Sequence, residues 1–412
     1  MKNYYIYVGG ALGKEYFKKN SKLSPSTNNF ELNNIESIYS EVNEKLLVLT
    51  QTFVQNNTDK KFLIARKKIY GTSLINFNTI GYINFAFLRT FTSVISLFLT
   101  IKYYLKIIKK KHSNYRFIFF VYNPFALRVL PVFLAKRRQD ILINIQGEPI
   151  DQRIVKHKKS MHDNLTYKLS FWLFKKNDLI LSTCENVVNR YAPHAKRYPL
   201  YFAANSFALE FSESMQRDFT HKNFIFSGTI DSCYGIEIAI EALQYLPENY
   251  NFIICGSGAP EIEELIRKKA YNDKRIRFLG RVSQEESIKL QHICDALLLV
   301  RVRNSERDDY LAKYASPGKL SEYLASGTPI IATNIPAIPK ILYKYLNVTE
   351  PNALSLAELL YKICENKTDI YIKKAKTGRK FAQENCTIDA QRRVYRKVIQ
   401  EIEVIGKKID KA

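Results

Sequence analysis

Two side chains of opposite charge stand three positions apart in the stretch SPGKLSE, Lys319 and Glu322, just behind Ser316, Pro317 and Gly318. An apolar helix carries on from Leu320 to a second pair of breakers, Gly327 and Pro329. The free N–H groups of a helix start, with the positive end of its dipole, favour an anion, and a lysine adds a full charge. A carboxylate nearly one turn further in can accept two hydroxyls of a ribose or another sugar. The same spacing also describes an ordinary helix capped by Ser316, with Pro317 in its first turn and Glu322 in solvent.

Two glycine loops add to the first reading. In FSGTIDSCYGIE, Gly228 permits close backbone approach, and Thr229 or Ser232 can donate to phosphate oxygens. In CGSGAPE, Gly256, Ser257 and Gly258 again follow an apolar run. Neither loop has the G-x-G-x-x-G spacing of dinucleotide folds, so a nicotinamide cofactor is not indicated. Loops at the ends of consecutive strands, all on one sheet edge, point to one shared polyphosphate or nucleotide pocket.

The elements needed to hold these loops recur along the chain. Short apolar runs such as YYIYVGG, YRFIFFVYNP, DILINIQGEP and DLILSTCE alternate with helix-length segments, the pattern of parallel α/β sheets. A second series runs through NFIFSGT, YNFIICGSG, IRFLGRV, DALLLVRVR and PIIATN. With 412 residues, roughly two to three times a usual domain, two domains are the default. Two doubly wound halves joined near residue 210 predict a cleft lined by strand C-termini, where open α/β sheets bind ligands.

Charge narrows the partners. Lys and Arg number 63 against 39 acidic residues, a formal net charge of +24 and a pI near 9.6. That excess attracts polyanions: nucleic acid, an anionic membrane face or phosphorylated ligands. No zinc-finger spacing, basic zipper or RNP-like string is present, which sets nucleic acid aside. The cysteines show no C-x-x-C pair and sit largely in apolar runs, as buried thiols of a reducing compartment do. With no secretion signal read at the N-terminus, a cytoplasmic location is expected.

The segment from Thr79 to Leu105 is apolar and runs into KIIKKKH. Three readings fit it: a helix packed on a sheet, an in-plane anchor whose Lys106, Lys109, Lys110 and Lys111 meet anionic headgroups, or a membrane span interrupted by Arg89.

The order FIFSGTIDSCYGIEIAIEAL, FIICGSG, IRFLGRVSQEE, ALLLV, SPGKLSEYLASGTPIIATN resembles the donor-binding half of family 4 glycosyltransferases with the GT-B fold, over residues 222 to 345. YVGGALG, FFVYNPFALRVLPVFLAKR, DILINIQGEP and DLILSTCENVVNRY resemble the family's first half more loosely. The resemblance implies two Rossmann-like domains facing a cleft, followed by C-terminal helices. The acceptor-binding domain would cover 1–208 and the nucleotide-sugar domain 209–385, with a helix over 386–412 packing back toward the first. Glu322 would match the ribose-binding glutamate. Ser316, Pro317, Gly318, Lys319 and Leu320 would match the loop that meets the donor's phosphate and sugar. Gly280, Arg281 and Val282 would frame the nucleobase, and Gly9 and Gly10 would face the diphosphate.

The chain departs from the family's pattern at three places. Tyr314 stands where the first acid of the pair is expected, and Thr229 and Tyr234 stand where many members hold the diphosphate with an arginine and a lysine. Lys319 is then the leading cation, with Arg281, Arg301 and Arg303 as helpers. No D-x-D pair is present, so no metal or other cofactor is expected, the nucleotide sugar being a substrate. In IQGEP, Glu148 is placed to orient an acceptor or donor hydroxyl, with Gln146 in reserve.

The expected activity is transfer of a hexose-type residue, with retention, from a nucleotide sugar to a lipid-linked or oligosaccharide acceptor in surface polysaccharide synthesis. The expected place is the inner face of the cell membrane, through a peripheral contact with its anionic surface. A nucleotide-sugar epimerase on the same scaffold and a degenerate, non-catalytic binding subunit are the alternatives.

Overall fold

A computed structural model of the chain describes residues 1–13, 17, 25–51, 63–64, 68–72, 75–83, 85, 88–111, 114–122, 126–145, 161–210, 220–365 and 369–411. The chain divides into two compact units. The first joins Met1–Leu200 to Ile388–Ala412, and the second is Tyr201–Thr387.

Unit 1 runs β1 (Lys2–Gly9), α1 (Pro25–Val42), β2 (Leu46–Thr50), β3 (Leu63–Ile64), β4 (Lys68–Tyr70), β5 (Asn76–Thr79), β6 (Tyr82–Ile83) and α2 (Leu88–Lys111). It continues through β7 (Tyr115–Tyr122), α3 (Ala126–Ala135), β8 (Ile141–Ile145), α4 (Met161–Phe174), β9 (Leu179–Leu181), α5 (Glu185–Tyr191) and β10 (Lys196–Tyr198). The main sheet has the order β10-β9-β8-β7-β1-β2-β5-β4 and is parallel except for β4, which runs against β5.

Its inner strands are apolar on both faces because helices cover both. Phe117, Phe119 and Val121 of β7 share one core with Leu97 and Ile101 of α2, Val129 and Val132 of α3, and Leu173 of α4. Phe120, on the opposite face, meets the Tyr395 ring with centroids 6.0 Å apart. Tyr395 belongs to the last helix, which is numbered below, and its hydroxyl donates to Asn34 Oδ1 of α1 at 2.9 Å. Each such buried aromatic or branched side chain contributes roughly 1.5–3 kcal/mol over exposure.

Unit 2 opens with α6 (Ser206–Glu210), β11 (Lys222–Ser227), α7 (Ile236–Ala242), β12 (Tyr250–Cys255), α8 (Pro260–Asn272), β13 (Ile276–Gly280) and α9 (Gln284–Ile293). It closes with β14 (Ala296–Leu299), α10 (Glu306–Tyr314), α11 (Leu320–Ser326), β15 (Ile330–Thr333), β16 (Asn347–Thr349), α12 (Ala353–Glu365) and α13 (Asp369–Asn385). The final helix, α14 (Ile388–Lys411), returns to unit 1. There Arg396 pairs with Glu41, and Arg116 holds the Gly406 carbonyl and the Asp410 carboxylate.

The unit 2 sheet is parallel throughout, in the order β13-β12-β11-β14-β15-β16. Alternate residues divide cleanly between its faces. Ile225, Ile253 and Leu297 join a core with Leu320, Tyr323 and Leu324 of α11, while Phe224, Phe252 and Leu298 join one with Ala239 of α7 and Leu356 of α12.

The first unit ends at Leu200 rather than at residue 208. The reason is local: Ala204 N donates to Cys386 O at 2.8 Å, and Ala204 and Ala208 belong to the core under α11. The Thr79–Leu105 stretch also resolves. It includes β6 and most of α2, whose Leu97, Ile101, Leu105 and Ile108 are buried against the sheet. Helix α2 is long and apolar enough to cross a bilayer by length and composition. One side of it is nevertheless committed to a protein core.

Candidate functional site

The strand order of unit 2 reverses between β11 and β14, because the chain first winds outward through β12 and β13 and then starts again beside β11. Such a reversal opens a crevice outside the carboxyl ends of the two strands. Ser227 and Gly228 stand at the end of β11, and Arg301 stands just past β14.

Lys319 occupies this edge. It is the N-cap residue of α11, with φ −72° and ψ −12°, so the helix begins at Leu320 and not at Pro317. The ammonium donates to Ser227 O at 3.1 Å and lies 3.6 Å from the centre of the Phe226 ring. The Tyr234 and Tyr323 rings lie further off, at 5.3 and 5.7 Å. Burial, followed by the Arg301 charge, pushes the Lys319 pKa well below the ordinary lysine value. An ammonium in that condition gains most from an arriving anion.

Tyr323 fixes the carbonyl that Lys319 uses. Its buried hydroxyl accepts from Ser227 N at 3.1 Å, while Gln291 Nε2 donates to Ser227 Oγ at 3.0 Å. Helix α11 thus supplies both the cation and the pin that holds its seat.

Glu322 projects from the same short helix. Gln284 Nε2, at the start of α9, donates to its Oε1 at 2.8 Å. Burial raises the Glu322 pKa, and the Gln284 hydrogen bond opposes the rise. Arg281 is exposed beyond β13, Val282 packs against the α11 core, and Gly280 has φ +65°. Pro317 and Leu320 are buried, Ser316 is half-buried, and Gly318 lies beside the Phe202 ring.

The glycines divide into two kinds. A Cβ on Gly228 would come 3.3 Å from Lys319 Nζ, so its bare surface makes room for that side chain. A Cβ on Gly256 (φ +150°) would lie 1.7 Å from Gly228 O, and one on Gly258 2.0 Å from Ile230 O. Those two glycines let the β12 loop run against the β11 loop, where Ile230 N donates to Ser257 O at 3.0 Å.

Two of the three expected arginine helpers, Arg301 and Arg303, are spent elsewhere. Arg301 is buried, donates to Leu311 O and Ala315 O, and stacks on Tyr234. Arg303 pairs with Asp309. Arg307 makes a bidentate pair with Asp231, at 2.9 and 2.7 Å, and holds its carboxyl at about 2. Asp231, Cys233 and Asp308 could each offer one ligand atom to a metal. Arg307 already neutralises that acidic group, and burial pushes the Cys233 thiol up to about 12. Thr229 is exposed, Tyr234 packs under Arg301 and against Phe226, and Tyr314 is buried beside Tyr310. Of the cations proposed for the phosphate, Lys319 has the clearest claim.

In unit 1 the glycine loop after β1 is occupied by the protein itself. Gly10 N and Ala11 N donate to Glu31 Oε2 at 2.8 and 3.1 Å, and the Tyr7 hydroxyl donates to the same atom at 3.1 Å. Burial raises the Glu31 pKa, and Arg128 draws it back. A Cβ on Gly9 would strike Glu31 at 2.2 Å, and one on Gly10 would strike Arg128 at 2.6 Å. The space beside the two glycines is thus filled by Glu31 and Arg128. Gln146 and Glu148 lie outside the described residues.

Sequence reasoning passed over Gln284, Tyr323, Phe226 and Glu31. Only Gln284 left a local trace, as the polar start of a helix after the Gly280–Val282 loop. The other three act across gaps in sequence that no spacing reveals.

Residues 210–384 match the family described as Glycosyl transferases group 1. No curated protein matches the chain in sequence. Among solved structures, sucrose-phosphate synthase from Thermosynechococcus elongatus superposes with a TM-score of 0.66 at 12% identity, over 98% of this chain and 100% of that one. HepE of Anabaena in complex with UDP gives 0.64 at 13% identity, over 97% and 100%. An alpha,alpha-trehalose-phosphate synthase (UDP-forming) from Burkholderia vietnamiensis gives 0.63 at 10% identity, over 99% and 100%. The fold is that of the GT-B enzymes, the second unit carries the group 1 glycosyl transferase domain, and the chain is a glycosyltransferase.

Proposed function

We propose that the chain transfers a hexose-type residue from a nucleotide-sugar donor, bound at the carboxyl edge of the unit 2 sheet, to a lipid-linked glycan in surface polysaccharide synthesis. The anomeric C–O bond to the leaving phosphate breaks with its electron pair staying on that phosphate, a new bond forms to an acceptor hydroxyl oxygen, and the proton of that hydroxyl passes to the leaving phosphate. The observation that carries the reading is the pair Lys319 and Glu322, a partly desolvated ammonium and a carboxylate on one helix at the sheet's reversal point. The ammonium suits the charge developing on the leaving phosphate, and the carboxylate suits the ribose hydroxyls. Structures of HepE with UDP and with UDP-glucose support a donor of that class. Retention at the anomeric carbon, metal independence and action at the inner membrane face complete the proposal.

The test is a thermal-shift panel of nucleotides and nucleotide sugars, since a ligand bound only by the folded state raises the midpoint. One nucleotide family is expected to raise it, and its sugar conjugate to release free nucleotide when acceptor is added. Isomerisation of the donor without acceptor would overturn the transfer reading.

A further inference from the structure

The outer side of the helical layer of unit 1 is unlike the rest of its surface. Helix α2 buries Leu97, Ile101, Leu105 and Ile108 in the sheet core and turns Phe91, Ile95, Leu99 and Tyr103 outward, one turn apart along a single stripe. Phe91 is 63% exposed and Leu99 58%. A shallow groove of about 330 Å³ runs along this stripe, between Thr92, Ile95, Ser96, Leu99, Thr100 and Tyr103. The layer continues through α3 and α4, which share the core under α2 and leave Leu134 and Trp172 exposed on their outer side.

The charge along α2 has one sign. Helix α2 has no acidic residue, and Lys102, Lys106, Lys109, Lys110 and Lys111 are exposed along its second half. Lys175 and Lys176 are exposed beside Trp172, with the Lys176 ammonium 5.5 Å from the indole. An apolar stripe with a lysine rim fits a surface that is apolar inside and anionic at its border, which describes an acidic lipid bilayer. A second copy would set this same lysine-rich surface against itself.

We infer that the outer side of α2, α3 and α4 is a docking surface for an anionic lipid bilayer, with α2 lying in the plane of the interface. Phe91, Ile95, Leu99 and Tyr103 enter the boundary between headgroups and acyl chains, and the lysines meet the phosphates. Insertion across the bilayer is excluded by the buried half of α2, which would have to leave the sheet core. The inference deepens the membrane part of the function proposed above and rests on that reading for the lipid-linked acceptor alone; the surface lies wholly in unit 1.

Trp172 is the chain's one tryptophan and lies on this surface, so the chain carries its own reporter. The experiment mixes the protein with vesicles of phosphatidylcholine alone and with vesicles of equal parts phosphatidylcholine and phosphatidylglycerol, and follows flotation and Trp172 emission. Binding to the acidic vesicles alone is expected, with a blue shift of the emission, loss of binding at high salt, and quenching by brominated acyl chains. Replacing Lys109, Lys110 and Lys111 together by Gln is expected to weaken binding on the order of a hundredfold, from about fivefold per lysine near the surface. The pair Phe91→Ser and Leu99→Ser is expected to abolish the blue shift. Both variants should keep the wild-type melting temperature and its shift with nucleotide, which separates failure here from failure of the donor site. Equal binding to neutral vesicles, binding without a change at Trp172, or a blue shift produced by self-association without lipid would each overturn the inference.

Discussion

Replacing Lys319 by Met separates a binding cation from a structural one. Among the described residues its ammonium has one hydrogen-bond partner, Ser227 O, and otherwise rests on the Phe226 ring. A charge-assisted bond to a donor phosphate is worth about 1.5–3 kcal/mol, so the donor Kd should rise by about 10- to 150-fold. Charge grows on that phosphate as the glycosidic bond breaks, so kcat/KM should fall further, by about 10²- to 10³-fold. Stability should move the other way. The folded pKa of Lys319 lies well below its ordinary 10.5, so between the two values the unfolded chain holds more protons than the folded one. Stability therefore rises with pH through that window, and at lower pH the buried ammonium costs free energy that Met does not. The variant should melt at the wild-type temperature or roughly 2–4 °C higher for each kcal/mol recovered. The wild-type protein should also take up a proton on binding donor at pH above the depressed Lys319 value, and its affinity should fall as pH rises through that value. Calorimetry in buffers of different ionisation enthalpy reads the uptake, and release of free nucleotide reads kcat/KM. A Lys319→Met protein that binds donor normally, or that melts several degrees lower, would refute the reasoning.

Glu322→Ala should weaken the donor Kd by about 10- to 150-fold, the cost of one charge-assisted hydrogen bond, and should leave the melting temperature of the free protein nearly unchanged. Because burial raises the Glu322 pKa, wild-type donor affinity should be lost as pH falls through that raised value, and Glu322→Gln should abolish this acid limb of the titration. Gly256→Ala places a methyl 1.7 Å from Gly228 O at a φ of +150°, and should cost about 3 kcal/mol or more, or roughly 6–12 °C in melting temperature. Glu31→Ala leaves Gly10 N, Ala11 N and the Tyr7 hydroxyl without their shared acceptor, and should cost at least about 3 kcal/mol in denaturant unfolding. Wild-type stability in that variant would mean the loop does not depend on its carboxylate.

The two sheets were readable in advance because a parallel strand covered on both faces must be apolar throughout, and FIFFV, ILINI and ALLLV leave no other reading at that length. The donor half was readable from the order of its strand-end loops, since a tight turn into a helix confines glycine, lysine and glutamate to fixed offsets. The lysine end of α2 was likewise legible in composition, whereas which of its sides meets the sheet was settled only by the fold.

Local sequence determined which residue types reach the sheet edges, because strand, turn and helix start are short-range matters of sterics and backbone hydrogen bonding. Tertiary structure alone decided what each of them meets there. Arg301 and Lys319 are equally cationic on paper, yet the Leu311 and Ala315 carbonyls consume the first and the Phe226 ring cradles the second. Gly256 and Gly258 read as phosphate glycines, yet they admit the neighbouring loop's backbone. Gly10 read as an open amide, yet Glu31 arrives from α1 to fill it. Electrostatics and close packing act over a few ångströms of space, whatever the distance along the chain, so only the folded chain reveals which charges are spent and which remain for a ligand.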